Sequence, residues 1–365
     1  MKVKTEVCSF FSGLGILDLG FEDAGFNISF VNEYNKAFLE AYKYTRGDFL
    51  PKYGYSNLSV EEYLNDDVWN RTFKKKFDAD FVGFIGGPPC PDFSTAGRNK
   101  GVEGKNGILT DVYVNLIIKR KPDFFVLENV KGLYQTSKHK VFYEEIKKRL
   151  DENGYQLFNS IENALEYGVP QYRDRLFLIG FNKNIFKDFH EFSIGRHKVF
   201  DLKEIKLLNW PNKEDFIEKS SITKPINIIE ELTVEYWFEK NDVKHHRNQN
   251  DVFNVKNLQK YLTIKEGDVS RKSFKRLHRW RYAPTSAYGN NEVHLHPYEL
   301  RRISVAEALS IQSLPKEFHL PSNIPISLKF KMIGNGVPYL LGKGIAQDIF
   351  CLLYTSPSPR DSTSS

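Results

Sequence analysis

The sequence predicts an open α/β sheet joined to a second, smaller domain, and three observations carry that expectation. Short apolar, β-prone runs such as Val7–Phe11, Phe81–Ile85 and Phe124–Leu127 alternate with helical patterns over residues 1–181. Each run stops at residues that cannot extend it: Ser12-Gly13-Leu14-Gly15, Gly86-Gly87-Pro88-Pro89 and Glu128-Asn129. From about residue 182 the alternation is lost, and Lys, Asn, Phe and Ile dominate without glycine punctuation. With 365 residues and 41% apolar content, the chain is long enough for two domains around a real core.

The net charge of +6 permits a polyanionic partner without requiring one. Three cysteines, Cys8, Cys90 and Cys351, cannot make a disulfide framework, and no Cys/His set has zinc spacing. No metal site is therefore expected, including at His294-Leu295-His296. The opening Met1–Glu6 lacks a signal-peptide core and no apolar run reaches bilayer length, so a cytoplasmic protein without a membrane span is expected. Cys351–Asp361 resembles a translated sequencing-library adapter, and residues 351–365 are set aside as a non-native tail.

Taken in order, Val7–Phe11 reads as a buried strand and Ser12–Gly15 as a glycine turn opening a helix through Leu17, Leu19 and Phe21. Such a unit lets backbone approach a nucleotide-like ligand closely. The next strand, Phe26–Val31, leads to Glu33, which spacing alone leaves open as a ribose acceptor or a solvated strand-end acid. Asp18 stands where a dinucleotide fingerprint needs its third glycine, which disfavours a nicotinamide dehydrogenase. Val60, Tyr63 and Leu64 have helical spacing, and Asp78-Ala79-Asp80 enters the strand Phe81–Ile85.

Two glycines and two prolines after that strand hold Cys90 on a stiff loop, at the sheet edge where α/β proteins bind ligands. Gly97–Gly107 reads as a polar basic loop, either an ordinary solvated loop or a lid. A helical face over Asp111–Ile118 precedes the strand Phe124–Leu127, which delivers Glu128 as the previous strand delivers Cys90. After a helix over His139–Leu150, Arg173 and Arg175 lie two apart on an extended segment ahead of the strand Leu176–Gly180. Side chains two apart on a strand point the same way, so both can reach one anionic or carbonyl-rich target. Arg271–Tyr282 interleaves basic and aromatic residues, which suits phosphates and base stacking. Ser304 and Glu307 form a capping box, and Tyr339–Phe350 a last helix.

Ile85–Ser94 resembles the catalytic loop of the cytosine-5 DNA methyltransferases, whose nucleophile is the Cys of a Pro-Cys pair; Pro91 stands where Gln is usual. Phe10–Gly20, Glu128–Leu133, Gln171–Arg175, Arg301–Pro315 and Met332–Pro338 resemble five further motifs, in the family's order. The resemblance implies a Rossmann-like S-adenosylmethionine-dependent methyltransferase sheet in residues 1–181, a target-recognition domain in 182–280, and a return segment in 281–350. It implies Cys90, Glu128, Arg173 and Arg175 as catalytic residues. It also implies Phe10, Ser12, Gly13, Gly15, Glu33, Tyr34, Asp80, Pro88 and Asn335 as contacts of S-adenosyl-L-methionine. Glu33 would hold the ribose, Tyr34 would stack on adenine, and Asp80 would sit near the adenine amino group. The implied substrate is double-stranded DNA, bound by a monomer that works either beside a cognate restriction endonuclease acting separately or as a solitary enzyme.

The chemistry follows from these residue types. A thiolate adds to carbon 6 of cytosine and makes carbon 5 nucleophilic. A protonated Glu128 beside ring nitrogen 3 relieves the charge, which requires a dry site that raises its pKa. The target base must first leave the duplex stack. An RNA methyltransferase on the same scaffold and a silent cofactor-sensing DNA-binding protein are the competing readings.

Overall fold

All six side chains of β1 (Thr5–Phe10) are buried, as expected of a strand covered on both faces in the middle of a parallel sheet. The computed structural model describes residues 3–89, 105–135, 137–187, 191–254, 258–285, 288–289 and 292–355. After β1 come α1 (Ile16–Asp23), β2 (Ile28–Asn32), α2 (Lys36–Arg46), β3 (Tyr55–Ser56), a 3₁₀ turn over Val60–Leu64, and α3 (Asp66–Thr72). Then follow β4 (Phe81–Gly86), α4 (Lys105–Arg120), β5 (Phe124–Val130), α5 (Gly132–Gln135), α6 (Ser137–Glu152), β6 (Tyr155–Asn163), β7 (Gln171–Tyr172) and β8 (Asp174–Asn182).

Seven strands form one sheet in the order β3-β2-β1-β4-β5-β8-β6. β1 pairs in parallel with both β2 and β4, and β4 with β5, whereas β8 runs antiparallel to β5 and β6. The chain moves outward from β1 in one direction and then returns to start again at β4 on its other side. The crevice beyond the carboxyl ends of β1 and β4 is therefore a topological switch point, the usual ligand site of such sheets. Because β8 is antiparallel, its amino end reaches that same edge, with Arg175 in register with Val130.

Alternation along β1 divides the core. Val7 joins the cluster of Phe21, Val31, Phe81 and Ile345 on one face, while Cys8 and Phe10 join Phe30, Phe84, Tyr113 and Ile146 on the other. The first face is closed by α1 and by the last helix, α12, introduced below; the second is closed by α4 and α6.

Beyond β8 the structure contains α7 (Leu202–Leu207), α8 (Val234–Lys240), α9 (Gln259–Leu262) and β9 (Ala283–Pro284), then α10 (Val305–Ile311), α11 (Ile326–Asn335) and α12 (Tyr339–Thr355). β9 pairs with β7 in a separate two-stranded ladder. A second core unites Val234, Phe238, Leu277, Leu309 and Ile333. The capping box at α10 is present: Ser304 Oγ accepts from Glu307 N while Glu307 accepts from Ser304 N.

Several boundaries differ from the sequence reading. β6 was not anticipated, because most of its positions are only half-buried and Gln156, Asn159 and Ser160 interrupt its apolar pattern. Near residue 182 the chain does not yet leave the sheet, since Phe186 and Phe192 stack edge-on against Phe181 of β8 at 5.3 and 5.1 Å. α4 begins at Lys105, so the end of the Gly97–Gly107 stretch is helical, and residues 97–104 lie outside the described residues. α12 runs past residue 351 to Thr355 with Leu353 buried in the first core, and residues 356–365 are not described. Part of the basic run 271–282 turns inward. Arg276 is fully buried and donates to the carbonyls of Ile264, His296 and Tyr261, and Arg279 is paired with Glu266 at 2.8 Å.

The closure of the first face depends on bare backbone at Gly20, where a Cβ would lie 2.6 Å from Lys343 N of α12. Gly20→Ala is expected to push the two helices apart and cost about 1–3 kcal/mol of stability, as overpacking does elsewhere. Denaturant unfolding of the two proteins checks this.

Candidate active site

The crevice at the switch point is a cavity of about 1730 Å³. Its floor is the ends of β1, β2, β4 and β5 with Arg173 and Arg175, and further lining comes from Phe253, Lys272, Lys275, Tyr288, His294 and α11. Phe10, Ser12, Gly13, Glu33, Tyr34, Pro88, Glu128, Arg173, Arg175 and Asn335 all line it. Cys90 lies outside the described residues, so the last described residues on its loop are Pro88, which is buried, and Pro89.

Glu128 is inside β5 rather than just beyond it, and its side chain is almost wholly shut off from water. Glu128 pairs with Phe177 across the ladder and Arg175 with Val130, two positions along, so the Glu128 and Arg175 side chains lie on one face and meet on the diagonal. Arg175 Nε is 2.9 Å from Glu128 Oε1. Burial pushes the Glu128 carboxyl up from its ordinary value, and Arg175 and then Arg173 pull against that without cancelling it. The same burial pushes both guanidiniums down, with Glu128 opposing it. Gly87 is needed for this arrangement, because a Cβ there would lie 2.6 Å from Glu128 Oε2. The loop that carries Pro88 and Pro89 thus rests directly on the carboxylate.

Among the described residues, the hydrogen bonds of Arg173 and Arg175 go to different targets. Arg173 Nη2 donates to the carbonyls of Gly334 and Gly336 at 2.6 and 3.1 Å, and Nη1 to Gln171 Oε1 at 3.4 Å, tying the start of β8 to the end of α11. Arg175 alone takes the carboxylate, because Arg173 precedes the first ladder residue of β8 whereas Arg175 lies within it.

At the other end of the cavity, Glu33 Oε2 accepts from Gly13 N and Oε1 from Asn35 N, both at 2.8 Å. Burial raises its pKa and those two bonds lower it, with burial the larger influence. Gly13 adopts φ +57° with open space where a side chain would be, so its backbone can be approached from the cavity. Tyr34 is 72% exposed beside it. Asn335 ends α11 in the same lining.

Two expected cofactor contacts are placed elsewhere. Asp80 precedes β4 and so stands at the amino end of the strand, away from the ligand edge. Its Oδ2 accepts from Lys4 N at 2.8 Å, and it does not line the cavity. Gly15 is buried behind the turn: its carbonyl accepts from Arg46 Nη2 at 2.6 Å, and a Cβ would meet the Tyr42 ring at 2.3 Å. That glycine serves packing. Ser59, which the sequence did not single out, and Val60, which it marked only for helical spacing, line the cavity at the 3₁₀ turn that follows β3. Asn129, Lys272, Lys275 and Lys331 also line it. His294 and His296 are fully buried, with the pKa of His294 pushed down to about 3, chiefly by burial, and that of His296 pushed well below the usual range. Among the described residues, no group of three or more His, Cys, Asp or Glu could hold a metal, and no helix is long and apolar enough to cross a membrane.

The family model described as C-5 cytosine-specific DNA methylase matches residues 5–351. The chain belongs to that family. This methylase is 52% identical to the Type II methyltransferase M.NmeDI of Neisseria meningitidis serogroup C over 354 residues, covering 95% of this chain and 83% of the relative. It is 28% identical to the Type II methyltransferase M.FnuDI of Fusobacterium nucleatum over 365 residues, covering 94% and 95%. Among solved structures, it is similar to a putative DNA modification methyltransferase encoded within a prophage (E. coli), with TM-score 0.68, 24% identity, and 96% and 99% of the two chains covered. A DNMT2 mutant from Spodoptera frugiperda gives TM-score 0.58 at 15% identity, covering 96% and 99%. Those two likenesses establish the Rossmann-like fold of the methylase sheet.

The methylase holds Glu128 at a cost. A carboxyl whose folded pKa is raised contributes stability that is complete below its unfolded pKa and is lost as pH rises through the folded value. Relative to Glu128→Gln, the wild-type protein is therefore expected to lose unfolding free energy steadily above pH 4.5, the ordinary value. Chemical denaturation of both proteins between pH 5 and pH 8 measures that slope.

Proposed function

We propose that this DNA methyltransferase transfers a methyl group from S-adenosyl-L-methionine to carbon 5 of a flipped-out cytosine, through a covalent bond from Cys90 to carbon 6. The observation that carries the reading is the buried, charge-paired Glu128 against which the Gly87-Pro88 backbone is packed, three residues ahead of Cys90.

The cavity suits the cofactor on its own evidence. The Glu33 carboxylate holds two backbone N–H groups yet keeps lone pairs for ribose hydroxyls, and the Gly13 backbone beside it is bare. Exposed Tyr34 offers a ring for adenine. Bound there, S-adenosylmethionine supplies an electrophilic methyl group. Cys90 supplies the thiolate, and Glu128, whose proton affinity is raised by its dry surroundings, donates a hydrogen bond in its protonated form to ring nitrogen 3 as charge builds on the ring. After the transfer, loss of the carbon 5 proton to a base breaks the bond between carbon 6 and Cys90 and frees both. Arg175 orients the carboxyl, and Arg173 holds the edge of the cavity by clamping the α11 terminus. Lys272, Lys275 and Lys331 give the lining the cations that DNA phosphates need.

The DNA reading supports a division into a catalytic unit (1–181 with 281–350) and a target-recognition unit (182–280). It further supports a cytoplasmic monomer that protects sites from a separate restriction endonuclease, as the Type II names of its relatives suggest.

Cys90→Ser is expected to reduce methylation of duplex DNA by on the order of 10³-fold or more, and to abolish the covalent adduct with 5-fluorocytosine DNA. Bisulfite sequencing of plasmid from expressing cells and denaturing gels read the two outcomes. Transfer RNA methylated in preference to duplex DNA would instead support the RNA reading. Glu33→Ala is expected to weaken cofactor binding by about 10–100-fold, the worth of roughly 1.5–3 kcal/mol for bonds to a charged group, measured by calorimetry.

A further inference from the structure

A second, smaller cavity of about 220 Å³ adjoins the first, and the mechanism above makes no use of it. Tyr172 and Thr285 line both. The β7–β9 ladder sets Tyr172, the residue before Arg173, in register with Pro284, and both lie in the smaller cavity's wall together with His278, Arg281 and Tyr282. A group held there is a neighbour of whatever occupies the site of Glu128 and Arg175. Three arginines stand close together at this wall, and the fold engages two of them. Carbonyls surround Arg276 and Glu266 pairs with Arg279, whereas Arg281 makes one long side-chain bond among the described residues, from Nη1 to Pro211 O at 3.3 Å. A guanidinium has five N–H donors in a rigid fork, so most of them remain for a ligand. The backbone beneath that fork is nonetheless fixed. Arg281 O accepts from Val234 N at 3.1 Å, Arg281 N donates to His278 O at 3.3 Å, and the preceding Trp280 is pinned through its indole N–H to Ile222 O at 2.9 Å. Two rings complete the surroundings: the guanidinium lies 5.3 Å from the centre of Tyr282, whose ring is 6.3 Å from that of Tyr172 and tilted by 34° to it.

Flat rings beside a forked cation suit the edge of a base better than a phosphate, for which lysines already stand in the larger cavity. The four bases differ in what they show such a fork. Guanine presents two acceptors side by side, N7 and O6; adenine and cytosine each present an amino donor, and thymine one acceptor beside a methyl group. Two parallel N–H groups are therefore matched by guanine alone. We propose that Arg281 is a specificity-determining residue that reads a guanine in a base pair next to the target cytosine, with the cavity between Tyr172 and Tyr282 receiving that base's edge. The inference rests on the cytosine-transfer reading and adds a requirement on the neighbouring base pair.

The test uses the full chain and duplexes built on a site that bisulfite sequencing finds methylated, with the base pair on each side of the target cytosine varied in turn. For the wild-type protein, replacing the guanine at one of those two pairs is expected to slow methylation about 10–100-fold, and 7-deazaguanine, which lacks N7, to slow it about tenfold. Arg281→Ala is expected to bring the guanine, 7-deazaguanine and altered duplexes within about threefold of one another. Arg281→Lys keeps the charge without the fork and should level the same duplexes. A wild-type protein indifferent to guanine at both flanking pairs overturns the proposal. So does a loss in Arg281→Ala that is equal for every duplex and leaves the guanine preference in place, because that is the behaviour of a phosphate contact. Should Arg281→Ala not fold, Arg281→Lys takes its place in the comparison. A wild-type protein that methylates no duplex overturns the cytosine-transfer reading itself, an outcome distinct from the others.

Discussion

A carboxylate held out of water is the constraint around which this methylase is built. Burying an ionisable group without a partner is prohibitive, and here the partner is a guanidinium delivered by an antiparallel neighbour strand. The topology makes the pairing available: only a strand running opposite to β5 brings its first residues to the edge where β5 presents Glu128. Packing completes it, since the missing side chain of Gly87 lets the loop after β4 lie on the carboxylate. One ion pair therefore fixes the relation between three strands and the loop leading to Cys90.

Much of this was legible in the sequence, and the parts that were not have physical reasons. The strands that line the cavity are short apolar runs with abrupt stops, and β1 and β2, buried on both faces, need no alternation to be recognised. β6 escaped because a half-exposed edge strand mixes Gln156, Asn159 and Ser160 with its apolar residues. Asp80 is given an adenine role by the resemblance alone, whereas its place ahead of β4 sets it at the sheet edge away from the cavity. Gly15 illustrates another ambiguity: a glycine in a cofactor turn can be required by the ligand or by a ring behind it, and Tyr42 is invisible until α2 is folded against the turn.

Charge was the least legible property. Arg276 and Arg279 belong to a run that reads as a phosphate-binding surface, yet carbonyls and Glu266 absorb them. Arg173 looked like a twin of Arg175 and instead clamps the α11 terminus through two carbonyls. Periodicity says which side of a strand a cation leaves from; it does not say how far the planar fork travels or which acceptor it meets first.

The seam between α1 and α12 has a bearing on how the molecule is made. Tyr339 and Asp23 are hydrogen-bonded although 316 positions separate them along the chain. During synthesis, the surface of α1 around Gly20 that α12 covers stays without that cover until the ribosome has delivered α12, the last helix described. A cell would thus carry no finished methyl-transfer pocket on an incomplete polypeptide.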